Sequence, residues 1–423
     1  MRDLSPEASG RSTRQAWLAA AASFGAGLFA PFTVNVVGAM PLGEVVLLAA
    51  LGVVLLLAML HRQTFAEQWQ SRAFWVLLSC QALALCGYVI ADLYRESAPN
   101  DLLRGWARML FLGLDLVAVA AFFRVGNPRP DWRPVLAFQW GLAAGMALNA
   151  RFGEVLFGDY WKFGYALPVS LTVLLVAPHF GFWAALLASA GLGVLHMALD
   201  YRSMGALCLL LAAAMALQRF PIRWRLWILP LAMVCGLGAI GWLYTSRDAP
   251  TSRSSRSDVE RSAMLEAAWN GFRTSPLLGN GSWFSKSNVM DEFFAIRFER
   301  ATTEGVGSFS EQEENGGGMA IHSQILVGLA EGGILGGAFF IAYSALLLWA
   351  LAHTVLREQW DRVSTIRIFT LLFALWSVAM SPFSGMHRLL IATASGLALM
   401  IWAAAHRAAA APRPAPRRSF GRA

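Results

Sequence analysis

Apolar and polar residues do not alternate along this chain; they fall into long blocks. A membrane-spanning helix needs about 20 apolar residues. Twelve blocks meet or approach that length, at about 16–34, 42–60, 73–92, 106–123, 134–150, 163–178, 182–199, 205–218, 226–244, 322–350, 367–383 and 389–405. The pattern predicts an all-α polytopic membrane protein of about twelve transmembrane helices. The first block follows Arg2, Arg11 and Arg14 as a signal peptide would, but it lacks a small-residue cleavage site and is expected to stay as an anchor.

The polar segments set the orientation. With the N-terminus in the cytoplasm, the short cytoplasmic segments hold 19 of the 34 basic residues, whereas the opposite short loops hold only Arg95, Arg104, Arg108, Arg151, Lys162, Arg202 and Arg388. The other eight lie in one long outward loop, 245–321, beside 11 acidic residues. Four regions follow: spans one to nine in 1–244, the outward loop or cap in 245–321, spans ten to twelve in 322–407, and a basic cytoplasmic tail in 408–423. Within the loop, Ser257-Asp258-Val259-Glu260 reads as a capping box. Met264, Leu265, Ala268, Trp269 and Phe272 then form an amphipathic stripe at helical period, ended by Pro276. The loop is expected to have helical character.

Composition agrees: 57% of residues are hydrophobic and only 14% charged, which excludes a soluble domain and a disordered chain. The net charge of +8 is explained by topology, so no nucleic acid is expected as a partner; the lipid bilayer is. Cys80, Cys86, Cys208 and Cys235 all lie in apolar blocks, with neither disulfide nor zinc spacing. Nucleotide-binding loops, HExxH and serine-elbow motifs are absent from the sequence.

The chemistry-bearing candidates gather near the outward loop. His322 opens HSQILVGLAEGGILG, where polar loop becomes apolar helix; a wet interfacial histidine can titrate, or can be an ordinary interfacial residue. Glu331, nine residues on, is an ionisable group inside a span, and so either a functional candidate or a packing partner. It cannot meet His322 unless Gly332 and Gly333 distort the helix. Arg261 falls in the first turn after the capping box, where it opposes the helix dipole and suits an external anion, or is a solvated surface arginine. Arg202 lies in an outward turn beside Asp200, and pairing with it is the bland alternative. Arg388 and His387 occupy the last outward turn. Arginines converging there would suit a phosphate or pyrophosphate. Arg108 lies seven residues before Asp115 on one helical face, which reads as a structural pair. Glu311 to Glu314 read as a solvated acidic loop rather than a metal site.

Taken together, the chain resembles the O-antigen ligase family, within the superfamily of O-antigen polymerases and O-linked oligosaccharyltransferases. Three motifs carry the resemblance in order: Arg202 in an outward turn; Arg261 on a loop helix ending at Pro276 in RSAMLEAAWNGFRTSPLLGNG; and His322-Ser323 followed by an apolar helix with Glu331, Gly332 and Gly333. Leu265 stands where members often carry an aromatic residue.

The resemblance implies a type C glycosyltransferase fold in the bacterial inner membrane. It also implies transfer of O-antigen from undecaprenyl pyrophosphate to the lipid A-core oligosaccharide on the periplasmic face. His322 would act as general base, and Arg202 and Arg261 would hold the donor pyrophosphate. Glu331, Arg388 and His387 would be secondary candidates. No cofactor or metal is expected, since the first outward loop, 35–42, carries no acidic residue. The near alternatives are an O-antigen polymerase, which often has two large basic outward loops where this chain shows one, or a protein O-oligosaccharyltransferase, which often carries a soluble C-terminal domain where this chain has a short basic tail. A lipid-linked glycan transporter would require inverted repeats, which the sequence does not display.

Overall fold

A computed structural model describes residues 6–35, 38–60, 71–125, 127, 130–152, 159–227, 252–284, 287–303 and 321–410. The ninth apolar block, the acidic run Glu311–Glu314 and the tail from 411 onward lie outside the described residues.

The described chain is helical apart from one short hairpin, in which β1 (Thr33–Asn35) pairs antiparallel with β2 (Ala39–Pro41), Val34 facing Met40. The helices are α1 Pro6–Phe29, α2 Leu42–Leu60, α3 Arg72–Arg95, α4 Pro99–Phe123, α5 Arg133–Phe152, α6 Ala166–Val176, α7 Phe182–Ala198 and α8 Arg202–Leu217. Then follow α9 Ser252–Thr274, α10 Val289–Thr303, α11 Gln324–Arg357, α12 Ser364–Met380 and α13 Gly385–Ala410. Among the described residues five helical stretches, Arg72–Arg95, Pro99–Phe123, Trp161–Phe180, Gln324–Arg357 and Gly385–Arg407, are long and apolar enough to cross a membrane. Five shorter apolar helices accompany them. The protein is an all-α, membrane-embedded bundle.

Local chemistry places the ends. Ser71 caps α3 by accepting from the Phe74 N–H at 3.4 Å. Pro99 opens α4, where its missing N–H costs nothing. Within the bundle small residues let helices touch backbone to backbone: a Cβ on Gly141 would lie 2.1 Å from the Phe24 carbonyl oxygen, and one on Gly145 2.1 Å from that of Leu28.

Contacts gather several of the described inter-helix connections at two places in the bundle. At one, Gln218 donates to the Thr354 carbonyl at 2.8 Å, and Arg225 donates to those of Phe220, Val355, Leu356 and Glu358. Arg367 lies 4.7 Å from the Trp132 ring, and Arg407 donates to the Asn127 carbonyl. At the other, the α3–α4 turn, the α12–α13 turn and the segment after α9 meet around Arg108 and Arg95.

Two sequence expectations are corrected. The tenth block is not one straight span, because α11 breaks at Gly333 (φ 63°, ψ −160°). A Cβ on Gly328 would lie 2.8 Å from the Gly336 carbonyl oxygen, although eight residues of straight helix span about 12 Å. Residues 324–332 therefore form a separate arm folded against the start of the long segment. The loop helix α9 begins at Ser252, five residues before the expected capping box, so Ser257 lies inside it. Arg261 is consequently well past the first turn, and the dipole argument for it falls away.

Candidate functional site

The arm of α11 and the cap helices share one core. Ala263, Met264, Ala267 and Ala268 of α9 pack with Phe284, with Val289 and Phe293 of α10, and with Ile321, Val327 and Ala330. The opposite face of the arm meets the bundle: Ile325 packs on the main core, and Gly332 lies against Tyr88 of α3. The buried stripe of α9 is turned from the expected one. Met264 and Ala268 are inside, but Ala263 and Ala267 replace Trp269, which is 46% exposed. The small alanines allow α10 to lie close, antiparallel to α9, with Asn270 donating to Glu292 at 2.6 Å and an ion pair between Glu266 and Arg300.

This core brings two of the three sequence motifs together. Arg261 is exposed two residues before Ala263, and His322 is half-buried directly after Ile321. His322 also precedes Ser323, whose side chain caps the arm by accepting from the Leu326 N–H at 3.4 Å. The start of a helix presents unpaired N–H groups and favours anions.

The third motif lies elsewhere at the surface. Arg202 opens α8, exposed, with its Nε donating to Asp200 Oδ1 at 2.9 Å. Asp200 adopts a left-handed φ of 55°, and the preceding His196 stacks edge-on with Tyr201 at 6.0 Å. Burial pushes the Tyr201 phenol above its ordinary pKa. The core shared under Arg261 and His322 includes no described residue of α7 or α8.

The secondary candidates have other partners. Arg388 is buried and bidentate to Glu44 of α2, at 2.6 and 2.8 Å. It is therefore no free cation of an outward cluster. His387 is half-buried, its Nδ1 2.7 Å from Ser384 Oγ. Glu331 is buried and ion-paired to Arg108, not to His322. The expected Arg108–Asp115 pair is thereby corrected: Arg108 takes its carboxylate from α11, while Asp115 lies beside Glu44.

Sequence reasoning missed the junction that holds the cap. The turn from Ser275 to Phe284 fills the break in α11. In a straight helix the Ala330 and Glu331 carbonyls would accept from the N–H groups of Ile334 and Leu335. Here they accept from Asn280 at 2.9 Å and Gly281 at 3.0 Å, while Ile334 donates to the Pro276 carbonyl at 2.8 Å. Asp92 accepts from the Ser282 N–H at 2.6 Å, its hydroxyl at 2.8 Å and the Trp106 indole at 2.8 Å. Arg95 donates to Ser275 Oγ and the Gly279 carbonyl. The sequence signals were the glycine pair after Glu331 and a set of opposite charges, Asp92, Arg108 and Glu331, at outer helix ends.

Among the described residues no three His, Cys, Asp or Glu side chains converge as metal ligands. No protein-family model and no curated protein matches the chain.

Proposed function

We propose that the chain is an O-antigen ligase: a twelve-span, type C-like membrane glycosyltransferase. Its donor is O-antigen carried on undecaprenyl pyrophosphate, and its acceptor is the lipid A-core oligosaccharide. It works without a metal on the periplasmic face of the inner membrane. The observation that supports this most is the shared core under Arg261 and His322. It supports the reading because Arg261 and His322, the candidate anion ligand and base, each adjoin residues of that one core.

The chemistry asks for little more. Pyrophosphate is a good leaving group, so the step needs charge stabilisation on the departing oxygens and a base for the sugar hydroxyl. The acceptor oxygen bonds to the anomeric carbon as the carbon–oxygen bond to pyrophosphate breaks, and His322 takes the hydroxyl proton. Arg261 and Arg202 neutralise the released undecaprenyl pyrophosphate. One base and no nucleophile correspond to a single displacement with inversion.

The test is complementation of a ligase-null strain, read on a lipopolysaccharide gel. The wild-type chain should restore long-chain lipopolysaccharide. His322→Ala should cost on the order of 10²–10⁴ in rate while donor binding stays close to normal. Full ligation by His322→Ala refutes the base, and failure of the wild-type chain to complement refutes the ligase reading.

A further inference from the structure

Glu331 sits where three parts of the molecule meet. One carboxylate oxygen pairs with Arg108 of α4, and the other accepts from the Trp283 backbone N–H at 2.9 Å. Its own carbonyl accepts from Gly281. The Arg108 guanidinium is enclosed in turn: it donates to the Tyr88 hydroxyl at 3.3 Å and lies 5.0 Å from the Trp283 ring and 5.2 Å from the Phe383 ring. Arg108 is 6% exposed and Glu331 2%. Trp283 and Phe284 hold left-handed φ angles of 61° and 56°, rare for aromatic residues.

A buried ion pair adds little net stability over an apolar pair of the same shape, because both charges lose their water. Its best-attested use is to fix one arrangement among several. The arrangement at stake here is the bearing of the arm 324–332. Glu331 lies at the arm's last turn, and His322 immediately precedes its cap. The arm is rigid over that length and is joined to the long segment through Gly333. Pinning Glu331 to α4 therefore sets where the start of the arm, and His322 with it, stands over the bundle.

We propose that Glu331 is a positioning residue for His322, acting through Arg108 on the bundle and Trp283 on the cap. This rests on the reading of His322 as the base. A displacement of about 1 Å at a reacting group can cost about 100-fold in rate, so a loosened anchor should be seen in kcat.

The test uses the full-length protein in detergent with lipid-linked donor and lipid A-core. Glu331→Gln keeps the volume and an oxygen for the Trp283 N–H but removes the charge facing Arg108. Per folded molecule kcat should fall about 10- to 100-fold, with the KM for donor within about threefold, whatever yield of monodisperse protein is left once the Arg108 charge loses its partner. Unchanged kcat overturns the proposal. So does a loss of activity that only tracks loss of folded protein, since that is a structural role alone.

A second readout does not depend on activity. Val327→Cys, in a background lacking the four native cysteines, puts a thiol in the buried seam between arm and cap. Maleimide should label it several-fold faster when Glu331→Gln is added. Equal labelling rates overturn the anchoring. If the wild-type chain transfers no glycan, the ligase reading fails while these labelling rates still decide whether Glu331 holds the arm.

Discussion

Replacing Gly333 by alanine should damage the protein far more than an ordinary glycine replacement in an apolar helix. The residue has φ 63° and ψ −160°, a region essentially reserved for glycine, where another residue costs of order 1–3 kcal/mol. The new Cβ would stand 2.3 Å from the Leu277 carbonyl oxygen and 2.7 Å from its carbon. Those atoms are backbone, held by the Pro276–Ile334 bond, and cannot rotate aside, so overpacking adds about 1–3 kcal/mol. The combined cost is about 2–6 kcal/mol. The chain can escape only by straightening α11, which gives up the bonds from Asn280 and Gly281 and frees the turn that carries Trp283. Gly52→Ala is the control: a Cβ there meets nothing within 4 Å, and the change should be neutral or stabilising by about 0.5–1 kcal/mol. Reversible unfolding in mixed micelles measures both, and limited proteolysis of the cap reports whether the turn has left the break. A Gly333→Ala protein as stable and as protease-resistant as Gly52→Ala would refute the account of the helix break.

Two further outcomes follow from the same geometry. Glu44→Ala or Arg388→Ala should each leave a buried charge unpaired and cost about 3–5 kcal/mol, seen as loss of folded protein, whereas replacing both by methionine should recover most of it; equal yields of all three variants would put Arg388 back among the free cations. A phosphatase fused after Thr303 should be active and one after Arg362 inactive, and an active fusion at Arg362 would reverse the orientation on which every site assignment depends.

The elements legible in the sequence are those set by local pattern. The apolar blocks within the described residues, the stop at Pro276 and the change from loop to helix just after His322 depend on residues within a few positions of one another, and they appear close to where the pattern puts them. What the sequence concealed depends on distant partners. Arg108 and Asp115 share a helix face, yet Arg108 pairs with Glu331, 223 residues away. Glu44 finds Arg388 across 344 residues. The two glycines after Glu331 hinted at distortion, but the break needs the backbone of a turn fifty residues earlier to accept and donate the bonds the helix gives up. The early start of α9 was hidden for another reason: Ser252 to Arg256 carry no apolar period, so nothing marked them as helical.

The candidate site changes most when its arginines are divided by what already neutralises them. From sequence, Arg108, Arg202, Arg261 and Arg388 all lie near the outward end. Glu331 and Glu44 withdraw Arg108 and Arg388, because each is a buried pair whose separation would strand a charge out of water. Arg202 also has a carboxylate, Asp200, but that pair is exposed, with side chains 57% and 81% accessible. An exposed pair of this kind is worth about 0–1 kcal/mol, so Arg202 can leave Asp200 for a phosphate oxygen at little cost. Arg261 stands exposed on the helix whose inner face holds the His322 segment. In the proposed ligase the exposed arginines left for the pyrophosphate are therefore Arg202 and Arg261, while Arg108 and Arg388 stay in buried ion pairs.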